Sequence, residues 1–169
     1  NAQGLRVTSN VSLNLLHLTD LDIAFFDSNY RLDPPLRGQR DRDAIRAGLA
    51  DGTIDAVCSD HTPVDDDGKL MPFAEAEPGA TGVELLFSLV VKWAQEEKLS
   101  LVQALGLITT GPAAILKAGA PSLPGCGTLS VGAPADIAIA DADAAWTVGR
   151  DTLLSQSAHT PFVGYELPG

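Results

Sequence analysis

At 169 residues, with 45% hydrophobic and 20% charged, the chain has the make-up of an ordinary globular protein able to bury a core. Its 22 acidic and 11 basic residues leave a net charge of −11, which argues against a polyanion-binding surface and so against nucleic acid as a partner. The two cysteines, Cys58 and Cys126, exclude a disulfide scaffold and fit a reducing cytoplasm, and no apolar run approaches the roughly 18–20 residues of a membrane helix.

The chain carries neither initiator Met nor signal peptide and opens in mid-pattern, so it reads as a piece of a longer protein. Leu5 to Val11 alternate as a short strand, and Leu13 to Leu18 lead into Thr19-Asp20, a start signal for a turn or short helix. Asp33-Pro34-Pro35 keeps the stretch from Asp27 to Arg37 out of regular helix. Asp41 or Asp43 opens a helix through Ile45, Leu49 and Ala50, which Asp51-Gly52 stops.

Thr53 to Val64 is the stretch on which the reading turns. Ile54, Ala56, Val57 and Cys58 form a buried strand of the parallel-sheet kind, giving helix then strand, the unit of an α/β fold. Asp60 falls where that strand ends, and Pro63 turns the chain into a loop. Two readings of Asp60 stand. A carboxylate at the C-terminal end of a barrel strand wants a metal, a cation or donors; a turn cap is the plainer role. Asp65 to Lys69 is an exposed turn without the alternating acids and distant Glu of a calcium loop.

Pro72 to Gly82 is a long loop, followed from Val83 to Ala94 by a helix apolar on nearly all sides, which is core. Ser100 caps a helix from Leu101 to Ile108, and Thr109-Thr110-Gly111-Pro112 starts another, from Ala113 to Lys117, ended by Gly119. Beyond this point Pro121, Pro124, Gly125, Gly127, Gly132 and Pro134 punctuate β pieces at 128–130 and 135–140, with 146–148 as a partner strand across the turn 141–144. The expected division is therefore an α/β part, residues 1–119, and a small β segment, residues 120–169. His17 reads as a satisfied core or interface histidine, His159 as structural, and His61 as a loop residue or a partner of Asp60. Three histidines so far apart do not make a zinc site by spacing.

An ordered series of motifs resembles the dihydroorotase family of the amidohydrolase superfamily: 29–37 (NYRLDPPLR), 51–55 (DGTID), 59–63 (SDHTP), 72–84 (PFAEAEPGATGVE), 127–136 and 159–162 (HTPF). The resemblance runs from about residue 7 to 165. It implies the C-terminal half of a (β/α)8 metallo-hydrolase barrel plus part of an appended β-sandwich. It further implies opening and closing of the dihydroorotate ring in pyrimidine synthesis, with zinc in active members. There the metal makes hydroxide from water at neutral pH and an Asp takes up the proton. Asp60 matches that Asp, both metal ligand and acid/base; the other ligands would lie upstream of residue 1. Asp33, Val64, Glu77, Pro78 and Gly79 fall at substrate-facing positions of the family pattern.

Departures from that pattern point away from catalysis. Active members carry Asp-His-Ala-Pro-His where this chain has Asp60-His61-Thr62-Pro63-Val64, and an aliphatic side chain cannot donate a hydrogen bond to a substrate carboxylate. Asp33 stands where the family has Asn before Pro-Pro, setting a negative charge against an anionic substrate. Ser12-Leu13-Asn14-Leu15 replaces a Thr-Pro-His-His run. The resemblance is therefore closest to the degenerate, non-catalytic homologues that accompany aspartate carbamoyltransferase. The expected partner is that enzyme or the protein's own N-terminal half, with no zinc held by this chain alone. An active zinc dihydroorotase is the alternative.

Overall fold

The structure, a computed structural model, describes residues 7–119 and 126–169. Leu5 of the first expected strand, and the turn residues Pro121, Pro124 and Gly125, lie outside the described residues. Strand β1 (Asn10–Ser12) leads into the single-turn helix α1 (Asn14–His17) and a 3-10 turn at Asp20–Ile23. The turn is fixed as the sequence foretells: the Asp22 carboxylate accepts from the Thr19 N–H at 2.6 Å and the Thr19 hydroxyl at 2.9 Å. Helix α2 (Gln39–Ala50) starts after Gly38, earlier than the Asp41 or Asp43 expected, and closes at Asp51-Gly52, where Gly52 takes φ 80°.

β2 (Ala56–Cys58) pairs in parallel with β1, Val11 standing opposite Val57, so helix α2 is the crossover of a β-α-β unit. After it come the single-turn helix α3 (Asp66–Lys69), a 3-10 turn at Val83–Leu85, and the helices α4 (Leu86–Glu97), α5 (Leu101–Gly106) and α6 (Thr110–Gly119). Helix α4 turns polar at Gln95-Glu96-Glu97 and is capped by Lys98 with φ 56°. Pro112 falls in the first turn of α6, where its missing N–H leaves no bond unmade.

Two expected features are corrected. Asp65 to Lys69 is not a wholly exposed turn: residues 66–69 form α3, and Lys69 is 1% exposed. The partner of the strand at Trp146 is not 135–140. Strand β3 (Ala145–Thr147) pairs antiparallel with β4 (Glu166–Pro168), with Trp146 opposite Leu167. The reason is burial: Leu167 and Phe162 are driven into the core beside α4, carrying the terminal strand to β3. Residues 128–130 and 135–140 have no ladder partner among the described residues, and Leu129, Val131, Ile137 and Ile139 lie exposed along that backbone.

One hydrophobic cluster joins Leu13, Leu16, Leu85, Leu89, Val90 and Trp93 to Val148, Leu153, Phe162 and Leu167, so the core draws on both sides of residue 119. The Trp146 indole N–H donates to Ser88 Oγ of α4 at 3.1 Å, fastening β3 to the same helix. No helix is long and apolar enough to cross a membrane among the described residues.

Candidate functional site

The buried strand β2 delivers Asp60 to its C-terminal end, with left-handed φ 51° that Asp tolerates better than most residues. Its half-buried carboxylate receives no hydrogen bond from the described residues. Burial first, and the negative charge of Asp60 second, push the neighbouring Cys58 thiol above its ordinary range. Cys58 thus stays a protonated, packed side chain. His61 does not hold Asp60: its Nδ1 accepts from the Gly82 and Val83 N–H groups at 3.2 and 3.4 Å.

Backbone bonds draw four loops together around this point. The Thr62 N–H donates to Ala80 O at 2.9 Å, the Gly79 N–H to Arg31 O at 2.9 Å, and the Thr81 N–H to His159 O at 2.8 Å. Thr81 Oγ1 donates to Ser157 O at 2.6 Å, and Ser157 Oγ to Val64 O at 2.7 Å. All of these bonds cross between segments far apart in sequence, so the 77–82 loop is located by polar contacts on both flanks. Thr81→Val keeps the volume but removes the hydroxyl from a buried carbonyl. It should lower unfolding free energy by about 1.5 kcal/mol in urea titrations.

Among the residues expected to face substrate, Asp33, Glu77 and Pro78 are exposed. Gly79 and Val64 are buried, and Val64 is 5% exposed, its two methyls against Gly79 and Gly68. Val64 therefore acts as packing beneath the 77–79 loop and presents no donor to its open side.

Lys69 escapes a sequence reading altogether. Its ammonium donates to Ser28 O at 3.0 Å and Arg31 O at 3.1 Å, and Ser28 Oγ donates back to Lys69 O. Burial, with the Arg31 charge, lowers its pKa to about 8 against the pull of Asp27 and Glu77. A four-residue helix is too short to show an apolar periodicity, so nothing in the pattern marks Lys69 as buried. His159 is tied on both ring nitrogens, Nδ1 to Asn29 Oδ1 at 3.1 Å and Nε2 to Asp66 Oδ1 at 2.7 Å. Arg150 joins at 2.9 Å, and it and His159 hold the Asp66 carboxyl below the usual range.

A zinc centre needs three or four converging ligands. No group of three His, Cys, Asp or Glu side chains converges among the described residues, and the three histidines are engaged elsewhere. Asp60 is one free donor. The described residues do not by themselves fit the metal.

The parallel β-α-β unit carries Asp60 just past the end of β2, and the amidohydrolase family model matches residues 2–160. The chain belongs to that family. A dihydroorotase of Syntrophotalea carbinolica is 40% identical over 168 residues, 99% of this chain and 38% of that protein. A dihydroorotase-like protein of Pseudomonas putida is 41% identical over 166 residues, 98% of this chain and 38% of that protein. The chain thus spans well under half the length of these relatives. Among solved structures, an L-hydantoinase (dihydropyrimidinase) from Arthrobacter aurescens matches with TM-score 0.88 at 24% identity, covering 99% of this chain and 37% of that one. That match speaks to the fold alone.

Proposed function

We propose that the chain is the C-terminal part of a dihydroorotase-like (β/α)8 barrel in pyrimidine biosynthesis that no longer hydrolyses dihydroorotate and instead supports assembly of aspartate carbamoyltransferase in the cytoplasm. The observation that carries the reading is Val64, buried against Gly68 and Gly79 where the family pattern has a donor for the substrate carboxylate. Asp33, exposed beside the same loops, adds a repulsive charge. The relatives' shared dihydroorotase naming supports the family activity as ancestry. The exposed backbone at 128–130 and 135–140, without a ladder partner among the described residues, supports a small β-domain, within residues 120–169, that takes further strands from elsewhere.

Zinc chemistry, where the family has it, supplies a hydroxide at neutral pH. This chain would contribute Asp60 to such a centre and, through Lys69 and Gly79, the placement of the loops beside it. The test is to assay the intact protein, loaded with zinc, for dihydroorotate hydrolysis, and to look for a complex with aspartate carbamoyltransferase by sedimentation. The expected result is assembly without turnover. Turnover within the usual enzyme range of about 1–1,000 per second would overturn the reading in favour of an active dihydroorotase.

A further inference from the structure

The turn that carries Asp60 is held from outside itself. Asp60 sits at φ 51°, a left-handed conformation that persists only where the surroundings impose it, and its carboxylate receives no hydrogen bond from the described residues. The contacts that impose it lie on either side. Before it, the Leu13 N–H donates to Cys58 O at 2.9 Å, and the Ser59 carbonyl lies so close to Gly82 that a Cβ there would run into it. After it, the His61 ring takes the Gly82 and Val83 N–H groups on Nδ1 at 3.2 and 3.4 Å, and the Thr62 N–H donates to Ala80 O at 2.9 Å.

The receiving side is a helix start without a cap of its own. Gly82 and Leu85 stand before the 3-10 turn at Val83–Leu85 and before α4, and neither supplies a side-chain acceptor. The first N–H groups of such a run have no partner within it. His61, 21 residues away from Gly82 in sequence, fills the place that a local Ser, Asp or Asn usually takes. A ring nitrogen that accepts carries no hydrogen, so the hydrogen of this imidazole lies on Nε2. The helix start is itself anchored. The Thr81 N–H donates to His159 O at 2.8 Å, and the Glu84 carboxylate accepts from the Leu154 and Ser155 N–H groups at 2.7 and 2.8 Å. The ring therefore ties the Asp60 turn to a fixed point.

We infer that His61 is a positioning residue: by capping the start of the 83–97 helical run, its Nδ1 holds the 59–61 backbone in the left-handed turn that leaves the Asp60 carboxylate unbonded past the end of β2. The inference rests on the reading above only in taking Asp60 as this chain's contribution to the site; it needs neither hydrolysis nor assembly. The role belongs to one ring nitrogen, and neither the charge nor the bulk of a histidine enters into it.

The experiment takes the intact protein without substrate or partner and reads residue-resolved amide exchange together with urea unfolding. His61→Asn keeps an acceptor oxygen at the reach of Nδ1, whereas His61→Gln moves it one bond outward and His61→Leu removes it. Exchange at Gly82 and Val83 should stay within about threefold of the parent in His61→Asn and rise about tenfold or more in the other two. The Gln variant carries the comparison alone if the Leu variant does not fold. The second readout is a cycle with Asp60→Gly, which relieves the left-handed strain. With Asp60 in place, loss of the ring lets the turn relax and recovers that strain; with glycine there is none to recover. His61→Gln should therefore lower the folding equilibrium constant about threefold more in the Asp60→Gly background than in the parent. Exchange in His61→Asn as fast as in His61→Gln overturns the assignment to Nδ1. Additive effects in the cycle overturn the hold on Asp60 and leave His61 a cap alone. Either result leaves the functional reading standing, because that reading falls only by turnover in the separate hydrolysis assay.

Discussion

Gly79→Ala should destabilise the protein by about 4 kcal/mol, a backbone penalty and a packing penalty together. Two independent penalties meet at this position. Its φ of 143° lies where only glycine is at ease, and a Cβ there would stand 2.5 Å from Thr62 O and 3.0 Å from Val64 Cγ2. Neither neighbour can withdraw. Thr62 is bonded through its N–H to Ala80 O, Val64 O accepts from Ser157 Oγ, and the Gly79 N–H is itself committed to Arg31 O. Gly52→Ala provides the comparison: φ is 80°, but nothing lies within 4 Å of the added carbon. That variant carries the backbone penalty alone, about 1 kcal/mol. Urea unfolding of both variants against the parent measures the difference. Equal losses would mean that the 77–82 loop moves freely, and the account of a loop pinned between 62–64 and 157–159 would fail.

What a sequence can disclose here follows the range of the forces involved. Helix α2 and the long helix α4 are legible because a local apolar period writes itself over a dozen residues. β2 is legible as a run, Ile54 to Cys58, although only three residues enter the ladder, since pairing depends on where β1 ends. Asp60 at the strand end is equally local. The pairing of β3 with β4 joins residues about twenty apart through the burial of Phe162 and Leu167 against α4, and no adjacent turn announces it. The site divides the same way. Asp33 and Glu77 declare their charge in the sequence, whereas the burial of Val64 and the Lys69 clasp on residues 28–31 arise only when distant loops meet. A valine and a lysine look the same in a string whether they pack or project.

Acid should unfold the protein earlier than its carboxylates require, and His17 is the reason. His17 lies against Phe162, ring centroids 6.1 Å apart, and its Nε2–H donates to Leu89 O at 2.9 Å. Burial lowers its pKa to about 4; Arg46 and Lys92 push the same way, Glu96 and the Leu89 bond the other. In the unfolded chain the imidazole takes up a proton near its ordinary 6.5, so between about pH 6.5 and 4 the unfolded state binds more protons than the folded one. Stability is therefore full above that window and falls through it, by about 3 kcal/mol for this one group. The lowered carboxyls of Asp66, Glu84 and Glu96 start from 3.8 to 4.5, and their losses come at lower pH. His17→Gln keeps an N–H for Leu89 O and cannot titrate. Unfolding titrations at about pH 7.5, 5.5 and 4.5 should show the parent losing stability that the variant retains. Parallel curves for the two proteins would mean that the imidazole is already charged in the fold, and that the carbonyl of Leu89 sits beside a cation.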